Sequence, residues 1–185
     1  MSDSGYALRL EGVTKRFGKH TAVSDFDFEV PRGVICGLLG PNGSGKTTSI
    51  RMIMGILHPD EGSVSLFGSD PDVTRRTKVG YLPEERGVYK KMKCIDLLVF
   101  LAEIRGIRRA EGRKKAGVWL ERLGLSEWSD KRVEDLSKGM QQKIQFIGTV
   151  IHDPELLILD EPFSGLDPIN QDTLEEIVRD FHQKG

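Results

Sequence analysis

The residues Gly40-Pro41-Asn42-Gly43-Ser44-Gly45-Lys46-Thr47 follow the spacing G-x-x-x-x-G-K-S/T. That spacing serves one kind of chemistry, the cradling of a chain of phosphates. Its glycines let the backbone curl into a concave nest of N–H groups. A helix beginning near Lys46 points the positive end of its dipole at the same place. The Lys46 ammonium adds a mobile charge for the outer phosphates, the Thr47 hydroxyl suits a Mg2+ ion, and Thr48 completes the nucleotide-binding set. A second group lies far along the chain, where Leu156-Leu157-Ile158-Leu159 runs into Asp160-Glu161. Ligands of open parallel sheets sit beyond the carboxyl ends of the strands. This places the two acids beside the phosphate loop, with Asp160 in the Mg2+ shell and Glu161 polarising a water for attack on a γ-phosphate. Phosphoryl transfer asks the protein for placement and charge stabilisation, and these two carboxylates provide both.

The elements that must hold these groups are read from periodicity. Leu8 and Leu10 in Tyr6–Val13, and Phe26, Phe28 and Val30 in Asp25–Val30, recur at every second residue, as in half-buried antiparallel strands. Val34-Ile35-Cys36-Gly37-Leu38-Leu39 is a continuous apolar run and predicts a fully buried strand feeding the glycine-rich loop. Ile50, Ile53, Met54 and Leu57 then recur at i, i+3, i+4 and i+7, predicting an amphipathic helix from Lys46 that stops at His58-Pro59-Asp60-Glu61-Gly62. Ser63–Phe67 and Lys78–Leu82 read as strands. Residues from Cys94 to His152 are helical in pattern, broken at Gly106 and Gly124. Glu155–Asp160 reads as another buried strand and Asn170–Gln183 as a final helix. Strands alternating with helices imply an α/β core with parallel strands.

With 185 residues the chain can bury one core, or one core and a small lobe. Its net charge of -1 carries no electrostatic footprint for nucleic acid. The two cysteines, Cys36 and Cys94, fit neither a zinc site nor a disulfide framework. The start MSDSGYALRLEG has no apolar run of a signal peptide, and no stretch reaches the length of a membrane span. The basic run Arg105, Arg108, Arg109, Arg113, Lys114 and Lys115 reads as a solvated helix face. Trp119, Trp128 and Val23 read as packing residues.

Taken together these motifs resemble the ATP-binding cassette (ABC) family over essentially the whole chain. Leu136-Ser137-Lys138-Gly139-Met140 stands where that family carries its signature, usually L-S-G-G-Q. Ser137 is a good N-cap, and Met140, Ile144, Ile147 and Ile151 form an apolar stripe, so a helix begins there. The resemblance implies that Ser137, Lys138, Gly139 and Met140 face the ATP of a partner subunit. It implies that Phe17 stacks on adenine and that Asp167, in Ser164-Gly165-Leu166-Asp167, lies in the loop joining the two halves of a dimer. The implied fold is a P-loop NTPase (RecA-like) core with an antiparallel β subdomain and an α-helical subdomain. The core takes residues 1–88 and 153–185, and the helical signature subdomain takes 89–152.

The sequence departs from the family in three places. Glu84 occupies the slot of a glutamine that touches Mg2+ and water; a glutamate there still offers an oxygen ligand, and Glu84 keeps a catalytic and metal role. Lys138 and Met140 replace a glycine and a glutamine of the signature. Gly185 comes before the strand and switch histidine that the family carries, which makes a piece of a longer subunit that binds ATP and hydrolyses it slowly or not at all the expectation. The function implied is ATP binding and hydrolysis, with Mg2+, in a head-to-tail dimer at the inner face of a membrane, driving a partner permease. Gly80 to Gly87 resembles the export-type subunits, including the sodium-extrusion kind. The alternatives are a soluble member acting on ribosomes or nucleic acid, and a nucleotide switch that does not hydrolyse.

Overall fold

The computed structural model describes residues 5–72, 76–83, 89–163 and 168–183. The chain forms two compact units, one of Met1–Arg76 with Phe181–Gly185 and one of Thr77–Asp180. The expectations for Glu84 and for Ser164–Asp167 fall outside the described residues.

In the first unit, β1 (Tyr6–Phe17) lies between β2 (His20–Pro31) and β3 (Glu61–Leu66) in an antiparallel sheet of order β2-β1-β3. The alternation read in the sequence is what this sheet needs. Leu8, Leu10, Val64 and Leu66 are buried, while Arg9 and Glu11 point to water and pair with each other. In β2, Phe26 and Phe28 are half-buried and their rings stack at 5.9 Å between centroids. α1 (Lys46–Ile53) packs against β2 and β3 through Ile50, Met52 and Ile53. It stops short of Leu57, contrary to the periodicity. Met54 closes it, and the next residue, Gly55, has φ 63, the left-handed conformation that ends helices.

A second expectation fails in the same unit. Val34–Leu39 forms no strand, and Val34, Ile35 and Leu39 are 45%, 62% and 92% exposed. Continuous apolar content makes burial favourable, but a strand exists only by pairing. No strand among the described residues pairs with this run.

In the second unit, β4 (Val79–Leu82) and β5 (Leu156–Leu159) pair in parallel, Val79 with Leu156 through Leu82 with Leu159. β5 is half-buried rather than fully buried, since β4 is its one partner among the described strands. The helical stretch resolves into α2 (Cys94–Glu103), α3 (Arg109–Arg122) and α4 (Lys138–Val150), with breaks at Gly106 and Gly124 as the sequence implies. Leu97, Leu98, Ala102, Ala116, Leu120, Ile144, Phe146 and Ile147 fill their common core. α5 (Pro168–Gln183) begins two residues before the expected helix. Within the basic run, Arg109 pairs with Glu103, Arg113 with Asp96 and Lys115 with Asp153, while the half-buried Arg105 donates to the Val79 carbonyl at 3.3 Å. No helix among the described residues is long and apolar enough to cross a membrane.

Candidate functional site

The phosphate-loop residues lie in the first unit, and α1 begins where the motif requires. Gly45 is its N-cap, with φ 92, and a Cβ there would meet the Ala22 carbonyl oxygen at 2.5 Å and Val23 Cγ2 at 2.9 Å. Both the left-handed backbone and the close approach of β2 demand glycine. Ser49 N–H donates to the Gly45 carbonyl at 2.8 Å and starts the helical ladder. Ser44 N–H donates to the Pro41 carbonyl at 3.2 Å and closes the turn through Asn42 and Gly43. No side chain caps α1, and its first turn holds no acid. Its leading amides are therefore available to an anion at the positive end of the helix.

The Lys46 ammonium folds onto the loop, donating to the carbonyls of Gly40 at 2.7 Å and Pro41 at 3.0 Å. Thr47 and Thr48 follow, both half-buried. This donor set of one ammonium, hydroxyls and helix-leading amides complements a polyphosphate, and the Thr47 hydroxyl is an oxygen donor of the kind that Mg2+ accepts. Phe17 ends β1 and is 48% exposed, so its ring is accessible to a ligand. Val23 is buried, as expected of a core residue.

The second unit holds the acids and the signature. Asp160 is 8% exposed, and its N–H donates to the Leu82 carbonyl at 2.9 Å, one step beyond the Leu82–Leu159 pair. It therefore stands just past the carboxyl ends of both parallel strands. Glu161 is exposed with φ 50. A left-handed conformation outside glycine costs about 1–2 kcal/mol, and Pro162 restricts the preceding residue further. Such strain persists only where the surroundings fix it.

The residue after Glu161 is held from the signature helix. Ser137 caps α4 as expected, its hydroxyl accepting from Met140 N–H at 3.3 Å. Lys138 and Gly139 open the first turn. Ile144, Ile147 and Ile151 are fully buried, as the stripe requires, while Met140 is half-buried. Gln142, two residues after Met140, is only 2% exposed, and its side-chain amide donates to the Pro162 carbonyl. The second unit thus joins the signature helix directly to the segment carrying Glu161. Gln142 was not legible as a site residue. It lies off the Ile144–Ile147–Ile151 stripe, and a glutamine beside a signature reads as a solvated side chain.

Residues 23–164 match the family model described as ABC transporter. An uncharacterized ABC transporter ATP-binding protein, YhaQ, of Bacillus subtilis is 52% identical over 178 residues, covering 96% of this chain and 60% of that protein. The bacitracin transport ATP-binding protein BcrA of Enterococcus faecalis is 38% identical over 184 residues, covering 97% of this chain and 59% of its own length. The chain thus spans about three-fifths of these relatives. A solved ATP-binding subunit of an ABC transporter superposes with a TM-score of 0.88 at 30% identity, covering 97% of this chain and 76% of that one.

Proposed function

Because the chain belongs to the ABC transporter family, among its ATP-binding proteins, we propose that it binds and hydrolyses ATP in a head-to-tail dimer to drive a permease at the inner face of a membrane. ATP is the substrate, held by Phe17 against adenine and by Gly40–Thr48 around the triphosphate. Lys46 exchanges the Gly40 and Pro41 carbonyls for phosphate oxygens, a swap its flexible stem permits. Thr47 and Asp160 are the oxygen donors suited to Mg2+, with Glu84 as a third; the ion, when bound, offsets charge on the β- and γ-phosphates. Glu161 orients a water and takes its proton as the water oxygen bonds to the γ-phosphorus. The bond from that phosphorus to the β–γ bridging oxygen breaks, leaving ADP and phosphate. Ser137–Met140 meet the ATP of the partner subunit, and Asp167 lies in the loop between the two halves.

One observation supports this reading most: the phosphate-loop sequence folds onto an uncapped, acid-free helix start with the Lys46 ammonium lying on the loop. A Lys46→Ala variant is expected to lose MgATP uptake in calorimetric titration, by a hundredfold or more, on the order of 3 kcal/mol for a charged hydrogen-bonding group. Wild-type affinity in that variant rejects the phosphate-loop assignment. Turnover that is lost in Glu161→Gln rejects the nucleotide switch, whereas turnover that survives the substitution rejects Glu161 as the group that takes the proton. The export-type likeness extends to a relative named for bacitracin transport, and co-purification of a membrane permease rather than ribosomes separates transport from the soluble alternative.

A further inference from the structure

The end of β1 is held in an unusual way. Pairing of β1 with β3 runs from Leu8↔Leu66 to Thr14↔Glu61 and goes no further. Beyond it, Lys15, Arg16 and Phe17 pair only with β2, at Val23, Thr21 and His20, across register shifts. A two-stranded ribbon of this kind is marginal by itself, yet it carries the exposed Phe17 ring.

Asp60, the residue before β3, ties it down. Its Oδ1 takes the Lys15 ammonium at 2.9 Å, its Oδ2 takes the Arg16 N–H at 2.6 Å, and its own N–H donates to the Thr14 carbonyl at 2.9 Å. Its neighbour Glu61 binds the Arg16 guanidinium at 2.7 Å. The Lys15 side chain is 15% exposed, far less than a free surface lysine, and its Nζ lies 5.8 Å from the centre of the Phe17 ring. Lys15 and Phe17 are two residues apart on one strand and so share a face. The hydrogen bond from Lys15, then that from the Arg16 amide, holds the Asp60 carboxyl below its ordinary range. An ordinary surface ion pair contributes little. This one spends both carboxylate oxygens on a three-residue segment and seats a cation against an aromatic ring.

We propose that Lys15 and Asp60 are positioning residues for the nucleobase: Asp60 clamps Thr14–Arg16 and fixes the Lys15 ammonium beside the Phe17 ring, so that the ring stands as a rigid platform for the purine. The proposal rests on the reading of Phe17 as the adenine-stacking residue. Neither residue touches the phosphates in this scheme, so their effect is confined to ligands that carry a base.

Calorimetric titration of the chain with MgATP and, separately, with magnesium tripolyphosphate tests this. Phe17→Ala is expected to weaken MgATP about tenfold, as loss of one base–aromatic stack does, and to leave tripolyphosphate binding unchanged. Lys15→Met and Asp60→Asn are expected to weaken MgATP about threefold, the scale of an exposed cation–π contact, again with no change for tripolyphosphate. Lys15→Arg is expected to keep wild-type affinity. Added to Phe17→Ala, Lys15→Met is expected to cost nothing more, since the two residues act as one unit. Asp60→Asn retains an acceptor for the Arg16 amide, so the ribbon keeps its fold. Wild-type MgATP affinity in Lys15→Met and Asp60→Asn, with Phe17→Ala weakened, overturns the clamp and leaves the base reading standing. Equal weakening toward both ligands, or an additive loss in the double variant, also overturns the clamp. Unchanged affinity in Phe17→Ala removes the base reading and the clamp with it.

Discussion

Glu161 is the residue on which hydrolysis turns in the proposed scheme, and its backbone is the least comfortable in the site. It holds φ 50 ahead of a proline. Gln142 fastens the next carbonyl from a nearly water-free position. Replacing Gln142 by leucine removes that donor while keeping the volume, so the Glu161 carboxylate loses its fixed aim without leaving the site. Turnover is expected to fall about tenfold, as misplacement of a catalytic group by a fraction of an ångström does. MgATP affinity, set by the phosphate loop, is expected to stay within about twofold of wild type. In a Glu161→Gln background, Gln142→Leu is expected to add nothing. A fall in affinity equal to the fall in turnover would show that Gln142 supports the fold rather than the carboxylate. The sequence marked Glu161 plainly, through an apolar run ending in two acids. It could not mark its strain or its tether, because φ depends on neighbours brought together only by folding.

At the scale of elements, legibility followed periodicity. The alternation in β1 and β2, the helix start at Lys46 and the breaks at Gly106 and Gly124 all read correctly, because each is set by local spacing or by a single residue type. Val34–Leu39 misread because apolar continuity says how a segment prefers to be solvated, not what it pairs with. The signature helix is the best case of local legibility. Ser137 caps α4 through its hydroxyl, and the first turn has no acid to do the same work. Ser137→Ala is expected to destabilise the second unit by about 1 kcal/mol, the usual worth of a serine cap. Ser137→Asp is expected to restore that stability as a cap, while placing a carboxylate where the partner's phosphates would come. Chemical denaturation of the three proteins checks the first effect, and ATP-dependent dimerisation checks the second. A stability unchanged in Ser137→Ala would mean that solvent satisfies the Met140 amide equally well.

For the molecule as a whole, near-equal numbers of acids and bases leave little net repulsion at neutral pH, so its acid response is set by a few buried groups. His152, between α4 and β5, is the clearest. Burial first, then the nearby Arg105 guanidinium, lowers its pKa from 6.5 to about 4; Lys115 acts the same way and Asp153 opposes them. The folded state therefore refuses a proton that the unfolded chain accepts. Between these two values the unfolded state binds more protons, so stability rises with pH. The contribution is fully present above 6.5 and is lost as the pH falls toward about 4. Asp60 adds a loss in the same direction, but only below its ordinary value of 3.8, outside that window. The denaturation midpoint is thus expected to fall between neutral pH and about pH 5, and His152→Gln, which never takes the proton, is expected to flatten the fall. Equal slopes in the two proteins would show that His152 reaches water in the folded chain and that another group governs the response.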